Sequence, residues 1–175
     1  MADNTYLILI TQGVEHWNRW RADNPNITPS LCQAYLFDCD LSGANLRNVN
    51  FNGACLVEAN LKNANLSQAT LKDAYLNGAD LSGANLEAAD LSCANFSGAD
   101  LTNANLSKAQ ANATNFKGAK LVDANLKDWR TNSATQLDGG DNISMQLAKT
   151  ATAADGAPLL QPPLKRAFGL KQIRF

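Results

Sequence analysis

The stretch ANLKNANLSQATLKDAYLNGADLSGANLEAADLSCANFSGADLTNANL (residues 59–106) places a Leu or Phe at every fifth position, with an Ala two residues before each of them. The large apolar column extends outward in both directions, from Leu31 to Leu126. A helix repeats its apolar residues about every 3.6 positions and a strand every second position, so a period of five fits neither. The sequence is therefore built from short repeated units.

One unit carries a single large and a single small apolar side chain, which is too little to form a core unless neighbouring units stack. The other positions are mostly Asn, Asp, Ser, Gly, Lys and Gln, which favour turns and solvent. A chain that turns at every fifth residue with its Leu inward winds into a solenoid. The small column follows because little more than Ala fits beside Leu at a corner.

The units Ala44-Asn45-Leu46-Arg47-Asn48 and Ala79-Asp80-Leu81-Ser82-Gly83 resemble the repeats of the pentapeptide-repeat family. This resemblance implies an all-β solenoid, a right-handed quadrilateral β-helix with four units per coil. Applied to the column from Leu31 to Leu126, it predicts about five coils and a rod about 24 Å tall, at the usual spacing of strands.

Grouping the units by twenty residues separates four faces, numbered from the unit centred on Leu31. The residue before the central Leu on the fourth face is always Asn, which predicts a ladder of stacked amides: Asn45, Asn65, Asn85, Asn105 and Asn125. The same position on the third face gives a candidate acidic stripe, Asp40, Asp80 and Asp100, interrupted by Asn60 and followed by Lys120.

The predicted core includes the third-face centres and two aromatic residues of the second face: Leu41, Leu61, Leu81, Leu101, Phe96 and Phe116. Ala111 and Thr114 interrupt the two columns, and we expect Phe96 and Phe116 to lean into the space that Ala111 leaves. Cys39 occupies the small inward column and is predicted to be buried, because a free Cys behaves as a small hydrophobic residue.

The domain prediction has three parts: an N-terminal helical cap (1–28), the β-helix (29–130), and a C-terminal cap with a Pro-containing basic tail (131–175). The leader TQGVEHWNRWRADNP (11–25) predicts one amphipathic helix with Thr11 as N-cap, ending before Pro25. We expect its Trp pair to plug the first coil. Residues 143–149 predict a short helix, and the tail is either a segment packed on the rod or a binding arm.

Composition excludes several functions. The net charge of −1 favours neither direct nucleic-acid binding nor an acidic partner, and no apolar run is long enough for a signal or a membrane span. Cys32, Cys39, Cys55 and Cys93 form no CxxC pair, so we expect no disulfide framework and a reducing, cytoplasmic location. No catalytic, cofactor-binding or metal-binding motif is present, and no small-molecule substrate is implied.

A candidate partner surface lies on the second face, where outward positions carry apolar side chains: Tyr35, Phe37, Cys55, Val57 and Tyr75. Contiguous exposed apolar surface often marks a contact site. The residues favour a non-enzymatic scaffold that binds an unknown protein partner, with homodimerisation as a variant and cover by a terminal segment as an open alternative. The family resemblance implies a second function, a DNA-mimicking protein that binds DNA gyrase.

Overall fold

The computed structural model describes residues 4–137. The described elements are two helices, α1 (Asn4–Thr11) and α2 (Val14–Asp23), and two short parallel strands, β1 (Asn115–Phe116) and β2 (Gln136–Leu137). Within this range, neither helix has the length and apolar character needed to cross a bilayer.

Parallel bridges between residues twenty apart connect the repeats, beginning with Ser30 and Asn50 and continuing to Gln110 and Arg130. Apart from the unit that contains β1, each five-residue unit contributes a single bridging residue, so its sides are too short to count as regular strands. The chain therefore climbs one layer in every twenty residues, and the prediction of a solenoid is confirmed. We call each twenty-residue layer a coil.

Every unit closes with a β-turn at its corner. In the unit centred on Leu81, the Ala84 N–H donates to the Leu81 carbonyl at 2.9 Å, and Gly83 has a φ of 68°. The equivalent corner residue has positive φ in every unit from Gln33 to Asp128. A type II turn requires positive φ at its third position, which explains the frequent Gly, Asn and Asp there.

The Asn or Asp before each central Leu fixes the same corner from the other side. The Asp80 Oδ1 atom accepts a hydrogen bond from the Ser82 N–H at 2.8 Å, and Asn85 accepts from the Glu87 N–H at 3.1 Å. These are Asx turns, in which a short side chain satisfies a backbone donor two residues later. The second letter of the A-[ND]-L pattern is thus a turn-forming residue.

The interior consists of the two apolar columns. Leu41, Leu61, Leu81 and Leu101 are all buried. The rings of Phe96 and Phe116 stack with centroids 5.3 Å apart. Phe116 also packs on Trp129, with ring centroids 5.7 Å apart. Both residues that interrupt the columns are buried. Ala111 is fully buried, and Thr114 donates its hydroxyl to the Leu91 carbonyl at 2.8 Å.

Cys39 departs from the prediction, because it is only partly buried whereas its column neighbours Ala34 and Ala44 are buried. Partial burial, followed by the nearby charge of Asp38, raises the pKa of the Cys39 thiol.

Within residues 11–25 the structure has one helix, α2, and a further helix that was not predicted, α1, precedes it. Thr11 ends α1 instead of capping α2, and its hydroxyl donates to the Leu7 and Ile8 carbonyls. Gly13, with a φ of 109°, turns the chain between the helices. The helix α2 ends just before Asn24, as Pro25 requires.

Side chains of α2 replace the backbone of a preceding coil. Asn65 donates its N–H to the Ala44 carbonyl of the coil before it, but Asn45 in the first coil has no such coil. Its N–H instead donates to Asn18 Oδ1 at 2.7 Å, and its carbonyl accepts from Trp17 Nε1 at 2.8 Å. Arg21 is also buried and donates to the Arg47 carbonyl at 3.0 Å.

At the other end, the repeat changes after Arg130. Gln136 pairs with Asn115, twenty-one residues away instead of twenty. Asn132 Oδ1 accepts from the Ala113 N–H at 2.9 Å, and the Thr135 hydroxyl donates to the Ala111 carbonyl at 2.7 Å. The predicted helix at 143–149 and the Pro-containing basic tail lie outside the described residues.

Replacing Leu81 with Asp should lower the free energy of unfolding by several kcal/mol, because a charge would be buried in addition to the loss of about 1.5–3 kcal/mol of Leu burial. Asn103→Asp is the matched control, since it adds the same charge at an exposed corner that tolerates Asp. Urea unfolding measures both, and wild-type stability of the Leu81 variant would contradict the inward Leu column.

Replacing Asn18 with Ala should destabilise the first coil by about 1–3 kcal/mol, because the Asn45 N–H would lose its acceptor. Hydrogen–deuterium exchange should show faster exchange at the Asn45 amide while mid-rod amides stay protected. Arg19→Ala, an exposed change on the same helix, should leave the Asn45 amide unchanged. Equal exchange in the two variants would argue against this role of Asn18.

Candidate partner surface

Five side chains of the second face form one surface, which we call the aromatic patch: Tyr35, Phe37, Cys55, Val57 and Tyr75. Tyr35 bridges to Cys55 and Cys55 bridges to Tyr75, so these three follow one another along a single column. The rings of Tyr35 and Phe37 stack at 6.3 Å. Tyr35 is 74% exposed, Tyr75 54% and Phe37 42%, so the aromatic rings of the patch face solvent.

The patch ends after the third coil. The Tyr35 column continues as Asn95, Asn115 and Gln136, all polar. Beside it, the Asn77 amide donates to the Ser97 hydroxyl at 2.6 Å. The apolar character of this face is therefore confined to the first three coils.

Acidic residues flank the patch on both sides, a feature that was not predicted from the sequence. Asp38 and Glu58 occupy the corners directly after Phe37 and Val57, and Asp73 occupies the corner before Tyr75. All three are exposed. Their signal in the sequence was the corner position next to each outward apolar residue.

The predicted acidic stripe lies in one column of the third face, since Asp40 bridges to Asn60, Asn60 to Asp80, and Asp80 to Asp100. Each of its three carboxylates accepts a hydrogen bond from its own corner N–H. The amide of Asn60 also donates to Asp40 at 3.0 Å, and Lys120 pairs with Asp100 at 3.1 Å.

Hydrogen bonds from the corners keep part of this stripe ionised. The bonds from Ser42 lower the pKa of Asp40, and those from Thr102, assisted by Lys120, lower the pKa of Asp100. The carboxylates stay charged, but their first partners lie within the chain. The stripe is thus part of the solenoid's own hydrogen bonding.

The predicted asparagine ladder occupies the fourth face. Side-chain amides join Asn85 to Asn105 at 3.1 Å and Asn105 to Asn125 at 3.0 Å. Asn45 and Asn65 share the column through backbone bridging, and their Oδ1 atoms accept from corner N–H groups. Side-chain stacking is therefore seen from the third coil to the fifth.

An open groove of about 490 Å³ also lies on the fourth face, lined by Arg47, Ser67, Gln68, Glu87, Ala88 and Lys108. Its polar groups contact one another: Lys108 pairs with Glu87 at 2.9 Å, which raises the pKa of Lys108, and Arg47 donates to Gln68 at 3.4 Å. Across residues 4–137, no group of three His, Cys, Asp or Glu side chains is placed to hold a metal ion.

The family model for pentapeptide repeats matches in eight copies, over residues 30–53, 54–92 and 89–128. A solved pentapeptide repeat protein from the thylakoid lumen of Arabidopsis thaliana is 30% identical, with a TM-score of 0.54. The alignment covers 66% of this chain and 84% of the plant protein. This likeness agrees with the solenoid described above.

Two cyanobacterial structures are also similar in sequence. Rfr23, a pentapeptide repeat protein from Cyanothece 51142, is 26% identical (TM-score 0.37), with 69% of this chain and 97% of Rfr23 covered. HetL from Nostoc is 29% identical (TM-score 0.28), with 63% and 73% covered, and is described as involved in heterocyst differentiation regulation. No curated protein sequence matches.

Acid should weaken the fold through residues such as Asp100. Because its pKa is lowered in the folded state, its stabilising contribution is present above the unfolded value of about 3.9 and is lost as the pH falls through the folded value. Urea midpoints should therefore decrease below about pH 4. Asp100→Asn keeps the acceptor oxygen but does not titrate there, so its midpoint should decrease less; identical pH profiles would refute this role.

Proposed function

This chain belongs to the pentapeptide-repeat family, and from that premise we propose that it is a non-enzymatic scaffold that binds a protein partner through the aromatic patch. The observation that carries the proposal is the continuity of the patch. Tyr35, Cys55 and Tyr75 project from three successive coils, and the stacked ring of Phe37 extends the surface sideways. Aromatic residues are enriched at protein interfaces because they contribute large contact area with few rotatable bonds.

The rigidity of the support favours binding. The backbone beneath the patch is held between coils, since the Leu36 N–H donates to the Cys55 carbonyl and the Leu56 N–H to the Tyr75 carbonyl. The side chains are therefore presented at a fixed spacing. A preorganised surface loses little conformational entropy when a partner binds.

The finer form of the scaffold is part of the proposal. We assign it a right-handed quadrilateral β-helix of about five coils, by the family's geometry and the strand spacing. The helices α1 and α2 act as its N-terminal cap, supported by the bonds of Asn18, Trp17 and Arg21 to the first coil. Residues 131–175 are assigned to the C-terminal cap and tail, supported by the altered pairing of Gln136.

The proposed partner is a protein that does not share this chain's acidic flank. A symmetric homodimer through the patch would bring Asp38, Glu58 and Asp73 of two copies together, and like charges in contact oppose association. Homodimerisation through the patch is therefore disfavoured. A cytoplasmic location is proposed because Cys32, Cys39, Cys55 and Cys93 are free thiols.

The gyrase-binding alternative depends on the acidic stripe and is the weaker candidate. Duplex DNA presents a dense, regular array of negative charge, whereas Asn60 interrupts the column of Asp40, Asp80 and Asp100, and Lys120 follows it. Lys120 also neutralises Asp100 directly. A DNA supercoiling assay tests this alternative, and an unchanged gyrase rate at micromolar concentrations of the protein would eliminate it.

Capture experiments test the aromatic patch. The variant Tyr35→Ser/Phe37→Ser/Val57→Ser should lose proteins that immobilised wild-type chain retains from a lysate of the source cells, because the apolar contact area is removed. The matched control is Val122→Ser/Ile27→Ser, which removes exposed apolar side chains outside the patch. Mass spectrometry compares the three captures; equal retention by all of them would refute the patch as the binding surface.

A further inference from the structure

The described chain ends on the face that carries the aromatic patch. Gln136 pairs with Asn115, and Asn115 continues the bridging column of Asn95, Tyr75, Cys55 and Tyr35. We infer that the patch is occupied in the free protein by residues 158–175 of the same chain, so that a partner must displace this segment to bind. The inference concerns the free protein and goes beyond the proposed partner binding.

The distance from Leu137 to the patch is short compared with the remaining chain. Three coils separate Gln136 from Tyr75 and five separate it from Tyr35, about 14 Å and about 24 Å at the strand spacing. Thirty-eight residues follow Leu137 in the sequence. An extended chain covers about 3.3 Å per residue, so about eight residues span the longer distance. The segment 158–175 begins twenty-one residues after Leu137 and can reach every part of the patch.

The sequence of the segment complements the patch. From Gly156 to Phe175 there is no Asp or Glu, and the charged residues are all basic: Lys165, Arg166, Lys171 and Arg174. Large apolar residues lie between and around them: Leu159, Leu160, Leu164, Phe168, Leu170, Ile173 and Phe175. A basic and apolar segment fits a surface of exposed aromatic rings with acidic residues on both sides.

The acidic flank favours this occupant over a second copy. Asp38 and Glu58 lie along one edge of the patch and Asp73 lies on the other. A second copy seated symmetrically would set these carboxylates against their equivalents, whereas the basic segment would pair with them. On the same face, the fifth coil carries Lys117 instead. The attraction for a basic segment is therefore placed at the first three coils.

Cys55 provides a direct probe, because its free thiol lies between Tyr35 and Tyr75 in the patch. Cys93 lies at an exposed corner outside the patch and serves as an internal reference. Trypsin separates the two thiols into the peptides 48–62 and 73–108. Alkylation of the full-length chain with the neutral reagent N-ethylmaleimide, followed by mass spectrometry, gives the ratio of their rates.

The variant Lys165→Glu/Arg166→Glu/Lys171→Glu/Arg174→Glu should raise the Cys55 to Cys93 rate ratio about tenfold, because opening of the docked segment then becomes favourable. The control Arg19→Glu/Lys127→Glu reverses exposed charges elsewhere on the chain and should leave the ratio at its wild-type value. An unchanged ratio in the tail variant would overturn the inference.

Charge exchange identifies the contact. Adding Asp38→Lys/Glu58→Lys/Asp73→Lys to the tail variant should restore protection of Cys55, since each side then carries the other's charge. Lys108 already occupies an equivalent corner with a φ of 60°, so the backbone accommodates Lys there. Two further outcomes would also overturn the inference. The first is failure of this restoration. The second is protection of wild-type Cys55 that increases with protein concentration from about 1 to about 100 µM, as docking of a second copy would require. The capture experiment is read separately, because it reports partner binding and does not report the free state.

Discussion

The solenoid depends on a residue with positive φ at every corner, and from Gln33 to Lys108 the N–H of each corner residue donates to a backbone carbonyl of the next coil. Residues other than Gly, Asn and Asp reach this conformation at a cost of about 1–2 kcal/mol. Lys108 and Glu58 nevertheless adopt it, and the N–H of each donates to the following coil, Lys108 to the Lys127 carbonyl at 2.8 Å and Glu58 to the Asn77 carbonyl at 3.0 Å. A corner is therefore stabilised by its neighbour, which explains why a single unit cannot fold alone.

This dependence determines how much of the fold the sequence predicts. The Leu and Ala columns were readable because burial permits few alternatives at those positions. The Asx turns of residues such as Asp80 were missed, because a repeated Asn or Asp suggests stacking as readily as a local turn. Trp129 is buried in the position of the small column although the repeat looked finished there. The helix α1 was missed because Thr11 suits either end of a helix and was interpreted as the start of α2.

The outward surface was less predictable, since each position serves both the fold and solvent. The column of Asp40, Asp80 and Asp100 looked like a recognition surface, yet those side chains accept hydrogen bonds from their own corners. The aromatic patch could be proposed from outward apolar positions alone. Its acidic flank depends on which corners lie beside it, and that placement requires the coil geometry.

In the first coil, some backbone groups that face away from the second coil have hydrogen-bond partners and others do not. Side chains of α2 satisfy the N–H and carbonyl of Asn45, on the fourth face. Within residues 4–137, the backbone N–H of Tyr35 has no such acceptor, whereas Cys55 one coil later donates to the Ala34 carbonyl. An unpaired strand edge favours an extended segment that supplies the missing partner. The exposed rings of Tyr35 and Phe37 lie at that edge, so backbone and side chains favour the same kind of occupant.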